Sequence, residues 1–272
     1  MSAIHFVGGE KGGVGKSVVA RLLAQLFIDR GLAFAALDGD RSNAALLRYY
    51  ADFTERVELD QLESTDPILE SALAAERNVL VDLPAQSHHL LQRWFEETDV
   101  LRYAQESGVS LVFWHVTDGG FDSVSHLERL LGALSGDVQF VIVENQGRSK
   151  DFSQFEASAA RQRVLELGGR IVRVPELDAS VMYKIDRFGS SFWAAINGTS
   201  GERALSALER RRAKVWLGKA HSVLEPAVLG AAIGSEAPSA DAAPRSPRAS
   251  SARAEAAPGR GESLDGNGLD VN

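Results

Sequence analysis

The sequence predicts an α/β fold: a doubly wound, mostly parallel sheet flanked by helices. Three observations lead there. Short apolar runs without polar alternation recur along the chain, as strands buried on both faces require. Stretches with apolar residues at helical spacing separate them, so strand and helix alternate. Several of the runs end in a carboxylate or amide, at the sheet edge where such folds bind ligands.

The first strand is expected over 3–8 and the first helix over 17–30, stopped by Gly31. Between them lies Gly8-Gly9-Glu10-Lys11-Gly12-Gly13-Val14-Gly15-Lys16-Ser17. Strand, glycine loop and helix in this order are the setting of a phosphate-binding P-loop. Glycines let backbone N–H groups turn inward around a phosphate chain, and the helix N-terminus adds a positive dipole. Gly12, Gly13, Val14, Gly15, Lys16 and Ser17 are therefore the expected nucleotide contacts. Lys16 would reach the β- and γ-phosphates and Ser17 would ligate Mg²⁺. Against the strict pattern G-x-x-x-x-G-K-[ST], Glu10 stands where the first glycine belongs, and a second lysine, Lys11, follows it.

The apolar run 33–37 ends in Asp38-Gly39-Asp40 and is expected as a buried strand. A helix over 44–53, a short strand over 57–59 and a helix over 66–76, opened by Asp66-Pro67, follow. Asn78-Val79-Leu80-Val81-Asp82-Leu83-Pro84 reads as a strand whose terminal Asp82 would hold Mg²⁺ through a water. The segment after it, with Gln86, Ser87, His88 and His89, is the expected second switch loop; adjacent histidines project apart and suggest no metal site. Then come a helix over 88–106, a strand over 109–116 with Trp114 and His115 as sheet packing, a helix over 122–134, and a strand over 138–143 followed by Glu144-Asn145. A helix over 153–167, a strand over 170–175 that ends in Pro175, and helices over 179–196 and 202–224 complete the expected domain, residues 1–225. Residues 226–272 are rich in Ala, Ser, Pro and Gly and carry little apolar surface to offset chain entropy, so they read as a disordered tail.

Composition narrows the function classes. The 272 residues contain no cysteine, which excludes disulfides, iron–sulfur clusters and thiolate zinc sites. Residues 1–30 show no signal peptide and the chain no 18-residue apolar run, so a cytosolic location is expected. The net charge of −8 is uneven: residues 1–147 carry −11, 148–221 carry +6, and 222–272 carry −3. A basic late region points to an anionic surface or to a solvated helical face.

Lys11–Ser17, Asp38–Asp40 and Asp82–Pro84, in this order, resemble the ParA/MinD family of deviant Walker A ATPases, including its plasmid partition and conjugation-associated members. The resemblance covers about residues 1–225 and implies ATP with Mg²⁺, an ATP-dependent homodimer, and slow hydrolysis stimulated by a partner protein. It implies that Lys11 reaches the partner subunit's nucleotide, that Asp40 positions the attacking water, and that Asp38 contacts the loop and the Mg²⁺ environment. Asn145 and Pro175 would lie at the adenine. Region 148–221 would meet non-specific DNA, with a membrane the less favoured surface. The family's Pro-Gln after the second aspartate is Arg41-Ser42 here, which leaves the hydrolysis rate open. An ATP-dependent small-molecule ligase of the same superfamily and a weakly hydrolysing scaffold are the alternative functions.

Overall fold

The computed structural model describes residues 2–134, 136, 138–199, 201 and 204–233. Seven strands form one sheet: β1 (Ala3–Gly8), β2 (Phe34–Asp38), β3 (Thr54–Arg56), β4 (Asn78–Asp82), β5 (Ser110–Thr117), β6 (Gln139–Asn145) and β7 (Arg170–Val174). Their order is β3-β2-β4-β1-β5-β6-β7, and every neighbouring pair is parallel. The register sets Asp38 beside Asp82 and Asp82 beside Val7, so two strand-end carboxylates and the start of the glycine loop share one edge.

Side chains alternate between two apolar layers. Val7, Leu80, Val112 and Val141 face α1 (Lys16–Arg30), α2 (Ala45–Tyr49), α9 (Ala179–Phe188), α10 (Phe192–Asn197) and α11 (Ala207–Ile233). Ile4, Phe6, Val79, Val81 and Phe113 face α3 (Leu62–Ala74), α4 (His88–Thr98), α5 (Val100–Glu106), α6 (Phe121–Leu134), α7 (Ser153–Glu156) and α8 (Ala159–Glu166). Trp114 is fully buried and its indole N–H donates to His5 at 3.1 Å, so it packs the sheet as expected.

Several expected elements are divided or displaced, each by a local cause. The helix expected over 88–106 is two, broken at Asp99, which adopts φ 50°. The helix over 153–167 is also two: Ser158 caps the second by accepting from the Arg161 N–H. That over 179–196 stops at Gly189 (φ 64°) and restarts where Ser191 accepts from the Ala194 N–H. Pro67 lies inside α3 rather than opening it, because the helix begins five residues earlier. The short third strand is 54–56, not 57–59; Val57 and Leu59 are buried instead as loop residues. The helix expected over 44–53 is α2 followed by a 3₁₀ turn, Ala51–Phe53.

The boundary expected at 225 is displaced. α11 runs through Pro226 to Ile233 as one helix. Leu224, Ala227 and Val228 stand at i, i+3 and i+4 and are buried in the same layer as α1. Burying that stripe outweighs the ~3 kcal/mol that an interior proline costs. The guanidinium of Arg30 on α1 fixes the helix further through both oxygens of Glu225, at 2.5 and 2.8 Å. The remainder of the expected tail, from residue 234, lies outside the described residues.

Candidate nucleotide-binding site

The glycine loop leaves β1 and enters α1 through left-handed backbone at Gly13 (φ 79°) and Gly15 (φ 97°). Gly15 is demanded twice over. Its φ disfavours a side chain, and a Cβ there would run into the Asn145 amide. No side chain caps the N-terminus of α1, so its first N–H groups are left for an anion. Lys16 is buried, and its ammonium reaches back to the Lys11 carbonyl at 3.4 Å. Burial lowers its pKa, while the charges of Asp82, Asp40 and Glu10 oppose that shift. Glu10, which breaks the strict motif, accepts from the His88 N–H at 2.8 Å and so ties the loop to the start of α4.

Three carboxylates from the expected strand ends meet this loop, in three different states. Asp38 is committed to backbone: its oxygens accept from the N–H groups of Leu46 (2.8 Å), Leu47 (3.1 Å) and Asp40 (3.1 Å). It anchors the turn that carries Asp40. Burial raises the Asp38 carboxyl pKa, and those N–H bonds limit the rise. Burial alone would raise Asp40 too, but hydrogen bonds from Ser42 and Asn43 and the Lys16 charge outweigh it and hold this carboxyl below the usual range. Asp82 is fully buried with neither oxygen in a well-formed hydrogen bond. Desolvation, with Asp38 adding to it, pushes its pKa up to about 8; the Ser17 hydroxyl and Lys16 ease this only partly. A buried carboxylate pair of oxygens without donors, beside a serine hydroxyl, is a donor set suited to a hard divalent cation. Mg²⁺ therefore fits at Ser17 and Asp82.

Lys11 does not line its own cleft. Its ammonium forms a 2.6 Å ion pair with Asp118, just past β5. Asp118 is held in turn by the Ser123 hydroxyl at 2.8 Å and the Gly120 N–H at 3.2 Å. The sequence reading ended this strand at 116 and missed Asp118, although Asp118 follows an apolar run just as Asp38 and Asp82 end theirs.

The cleft above the loop measures about 570 Å³ and takes in Gly12, Gly13, Gly15, Lys16, Ser17 and Asp40. It continues past them to Arg21 on α1, Arg48 and Tyr49 on α2, Arg148, and Asp186 on α9, none of them expected from sequence. Asn145 lies at the loop rather than in the open cleft: its amide donates to the Val14 carbonyl at 2.8 Å, and its oxygen accepts from Gly147 N–H at 3.0 Å. Pro175 lines a different groove, against α11, and its carbonyl accepts from the Trp216 indole at 2.7 Å. Much of the basic region is internally paired. Lys150, Arg163 and Lys184 meet Glu176, Glu166 and Glu209, and Arg173 meets both Glu144 and Glu156. Among the described residues Arg211, Arg212, Lys214 and Lys219 on α11 form no ion pair.

A parallel sheet with a glycine loop, an uncapped helix and an orphaned strand-end aspartate defines a P-loop nucleotide-binding protein. Comparison with known proteins narrows the class. The CobQ/CobB/MinD/ParA nucleotide binding domain family matches residues 5–200, and the chain belongs to that family. It is 27% identical to Protein TraL of Escherichia coli over 237 residues, 79% of this chain and 94% of that protein. It is 26% identical to Protein MobD of Acidithiobacillus ferrooxidans over 178 residues, 64% of this chain and 78% of that protein. Among solved structures, the septum site-determining protein MinD of Pyrococcus horikoshii, complexed with Mg-ADP, is 17% identical at a TM-score of 0.46, covering 79% of this chain and 96% of that one. No described helix is long and apolar enough to cross a membrane.

Proposed function

We propose that this chain is an ATP-binding, slowly hydrolysing dimerisation switch that positions or segregates cargo, with DNA transfer the favoured setting. The observation that carries the reading is Lys11: it sits on the phosphate loop yet is turned out of its own cleft and onto Asp118. A loop lysine with no part in its own pocket is suited to the nucleotide of a second copy. The similarity to TraL and MobD supports the DNA-transfer setting.

In this reading Lys16 and the loop N–H groups hold the β- and γ-phosphates, and Ser17 and Asp82 hold Mg²⁺. Bound Mg²⁺ supplies positive charge to the β- and γ-phosphate oxygens. Asp40 stays ionised and is a weak base, so it orients the attacking water rather than taking its proton early. Lys11 of the second subunit adds charge where negative charge spreads in the transition state. Asp38 fixes the turn beneath Asp40. Arg41, standing where the family has proline, is drawn away by Glu58 and Asp60. Slow hydrolysis and its stimulation by a partner protein rest on the family likeness.

Light scattering of the full chain with ATP, ADP or no nucleotide tests the switch. Wild type is expected to dimerise with ATP only. Lys11→Ala should bind ATP yet stay monomeric. Asp118→Asn, which frees Lys11, should dimerise at several-fold lower ATP. A wild type whose mass ignores nucleotide, or a Lys11→Ala that dimerises normally, sinks the reading. Non-specific DNA would meet the unpaired cations Arg211, Arg212, Lys214 and Lys219. Binding should need ATP and weaken steeply between 50 and 200 mM salt, roughly 10²-fold or more if several phosphates are neutralised. DNA retention that is independent of nucleotide, measured by fluorescence anisotropy, counts against it.

A further inference from the structure

The outer end of the cleft holds a carboxylate that the proposed mechanism does not use. Asp186 lines the cleft with its side chain 44% exposed. One oxygen, Oδ1, is fixed at 2.7 Å by the Arg21 guanidinium, which is only 3% exposed. Oδ2 has no hydrogen bond among the described residues. Arg21 is locked by two rings: its guanidinium carbon stands 3.8 Å from the centre of Tyr49 and 4.6 Å from that of Phe192. Its Nε and Nη2 are buried without partners among the described residues, where Asp186 is its single ionic partner. The backbone carbonyl of Asp186 also accepts from the Tyr49 hydroxyl and from Arg48, both at 3.3 Å. Helices α1, α2 and α9 thus converge to hold one carboxylate at one place.

A free carboxylate in a phosphate-binding cleft repels its ligand unless it has another task. Arg21 neutralises this one, and that leaves it as an oriented acceptor. Arg21 follows Ser17 by one helical turn, about 6 Å along α1. A nucleotide with its phosphates at Lys16 and Ser17 places its sugar at about that remove. The sugar's vicinal hydroxyls are two adjacent O–H donors, and a carboxylate accepts such a pair through its free oxygen. We propose that Asp186, positioned by Arg21 and Tyr49, recognises the ribose diol of the bound nucleotide and makes this site selective for ribonucleotides. The inference rests on the nucleotide-binding reading above and adds the sugar to it.

Equilibrium binding of the full chain to ATP, 2′-deoxy-ATP and 3′-deoxy-ATP tests it. Wild type should bind each deoxy analogue five- to twenty-fold more weakly than ATP. In Asp186→Asn the three affinities should converge to within about two-fold. The Arg21 charge left by that change can unfold the domain, so thermal melts accompany it. If it does not fold, the double variant Arg21→Met with Asp186→Leu, which leaves no unpaired charge, takes its place and should show the same convergence. Equal binding of all three nucleotides by wild type overturns the diol role and leaves the nucleotide site standing. A deoxy penalty that survives loss of Asp186 also overturns it, by placing diol recognition elsewhere. Wild type that binds no ATP overturns the nucleotide reading itself.

Discussion

Lys16→Ala is expected to weaken ATP binding at least 100-fold and to leave no measurable hydrolysis, as read by titration calorimetry and phosphate release. Lys16 is 8% exposed, and among the described residues its ammonium reaches only one acceptor, a carbonyl 3.4 Å away. That is a poor exchange for the water it has lost, and it is why burial leads the causes that lower its pKa. A triphosphate repairs the deficit with charge-assisted hydrogen bonds, each about twice as strong as a neutral one. Losing roughly 3 kcal/mol of such bonding is about two decades of affinity. The ligand-free domain should not suffer, since alanine removes a half-satisfied buried charge. Its melting temperature is expected to match or exceed wild type. A variant that binds ATP within ten-fold of wild type removes Lys16 from the site; one that binds poorly because it melts early removes the argument from electrostatics.

How much of this was legible in the sequence depends on distance along the chain. The glycine loop, Asp38-Gly39-Asp40 and Asp82 announce themselves because each closes its own apolar run, and a parallel sheet brings such ends to one edge. Fold class was readable for the same reason, from strand runs with no polar alternation. The breaks at Asp99 and Ser158 were not, because periodicity continues across them while one residue's backbone does not. The end of α11 was misjudged because the Ala-, Ser-, Pro- and Gly-rich composition from 226 onward reads as a tail, whereas the burial of Ala227 and Val228 in the same layer as α1 is a tertiary effect. Arg21 stood hidden in an apolar helical stretch, and its partners Tyr49, Asp186 and Phe192 lie 28 to 171 residues away in sequence. Asp38 shows the opposite limit: its position at the strand end was plain, but its commitment to three N–H groups was not. Basic character in region 148–221 was likewise plain, yet sequence did not show which cations are already neutralised by Glu144, Glu156, Glu166, Glu176 and Glu209.

Asp82→Asn is expected to stabilise the ligand-free protein and to abolish the stabilisation given by Mg²⁺ with ATP. The two effects have opposite signs and one cause. Asp82 is fully buried with neither oxygen in a well-formed hydrogen bond among the described residues, and its pKa is pushed up to about 8 from an ordinary 3.8. The folded chain therefore holds this proton more tightly than the unfolded chain. Its favourable contribution is complete below about pH 4 and is lost as pH rises toward 8, by at most ~1.4 kcal/mol per unit. Asparagine has no such proton to lose, so the variant's stability should be flatter over that window. At pH 8 it should exceed wild type by roughly 2 kcal/mol, a melting shift of about 4–8 °C for a domain of this size. Mg²⁺ and ATP reverse the order. In wild type the Asp82 carboxylate would hold the cation, which favours the ionised form, and ligand at 100-fold its dissociation constant adds about 2.7 kcal/mol. The variant, with one amide nitrogen in place of an oxygen, gains little. Melting curves at pH 5 and pH 8, with and without Mg²⁺ and ATP, should therefore cross for the two proteins. Curves that stay parallel would mean that Asp82 is a satisfied core residue, and the strain at this strand end would then have no functional return.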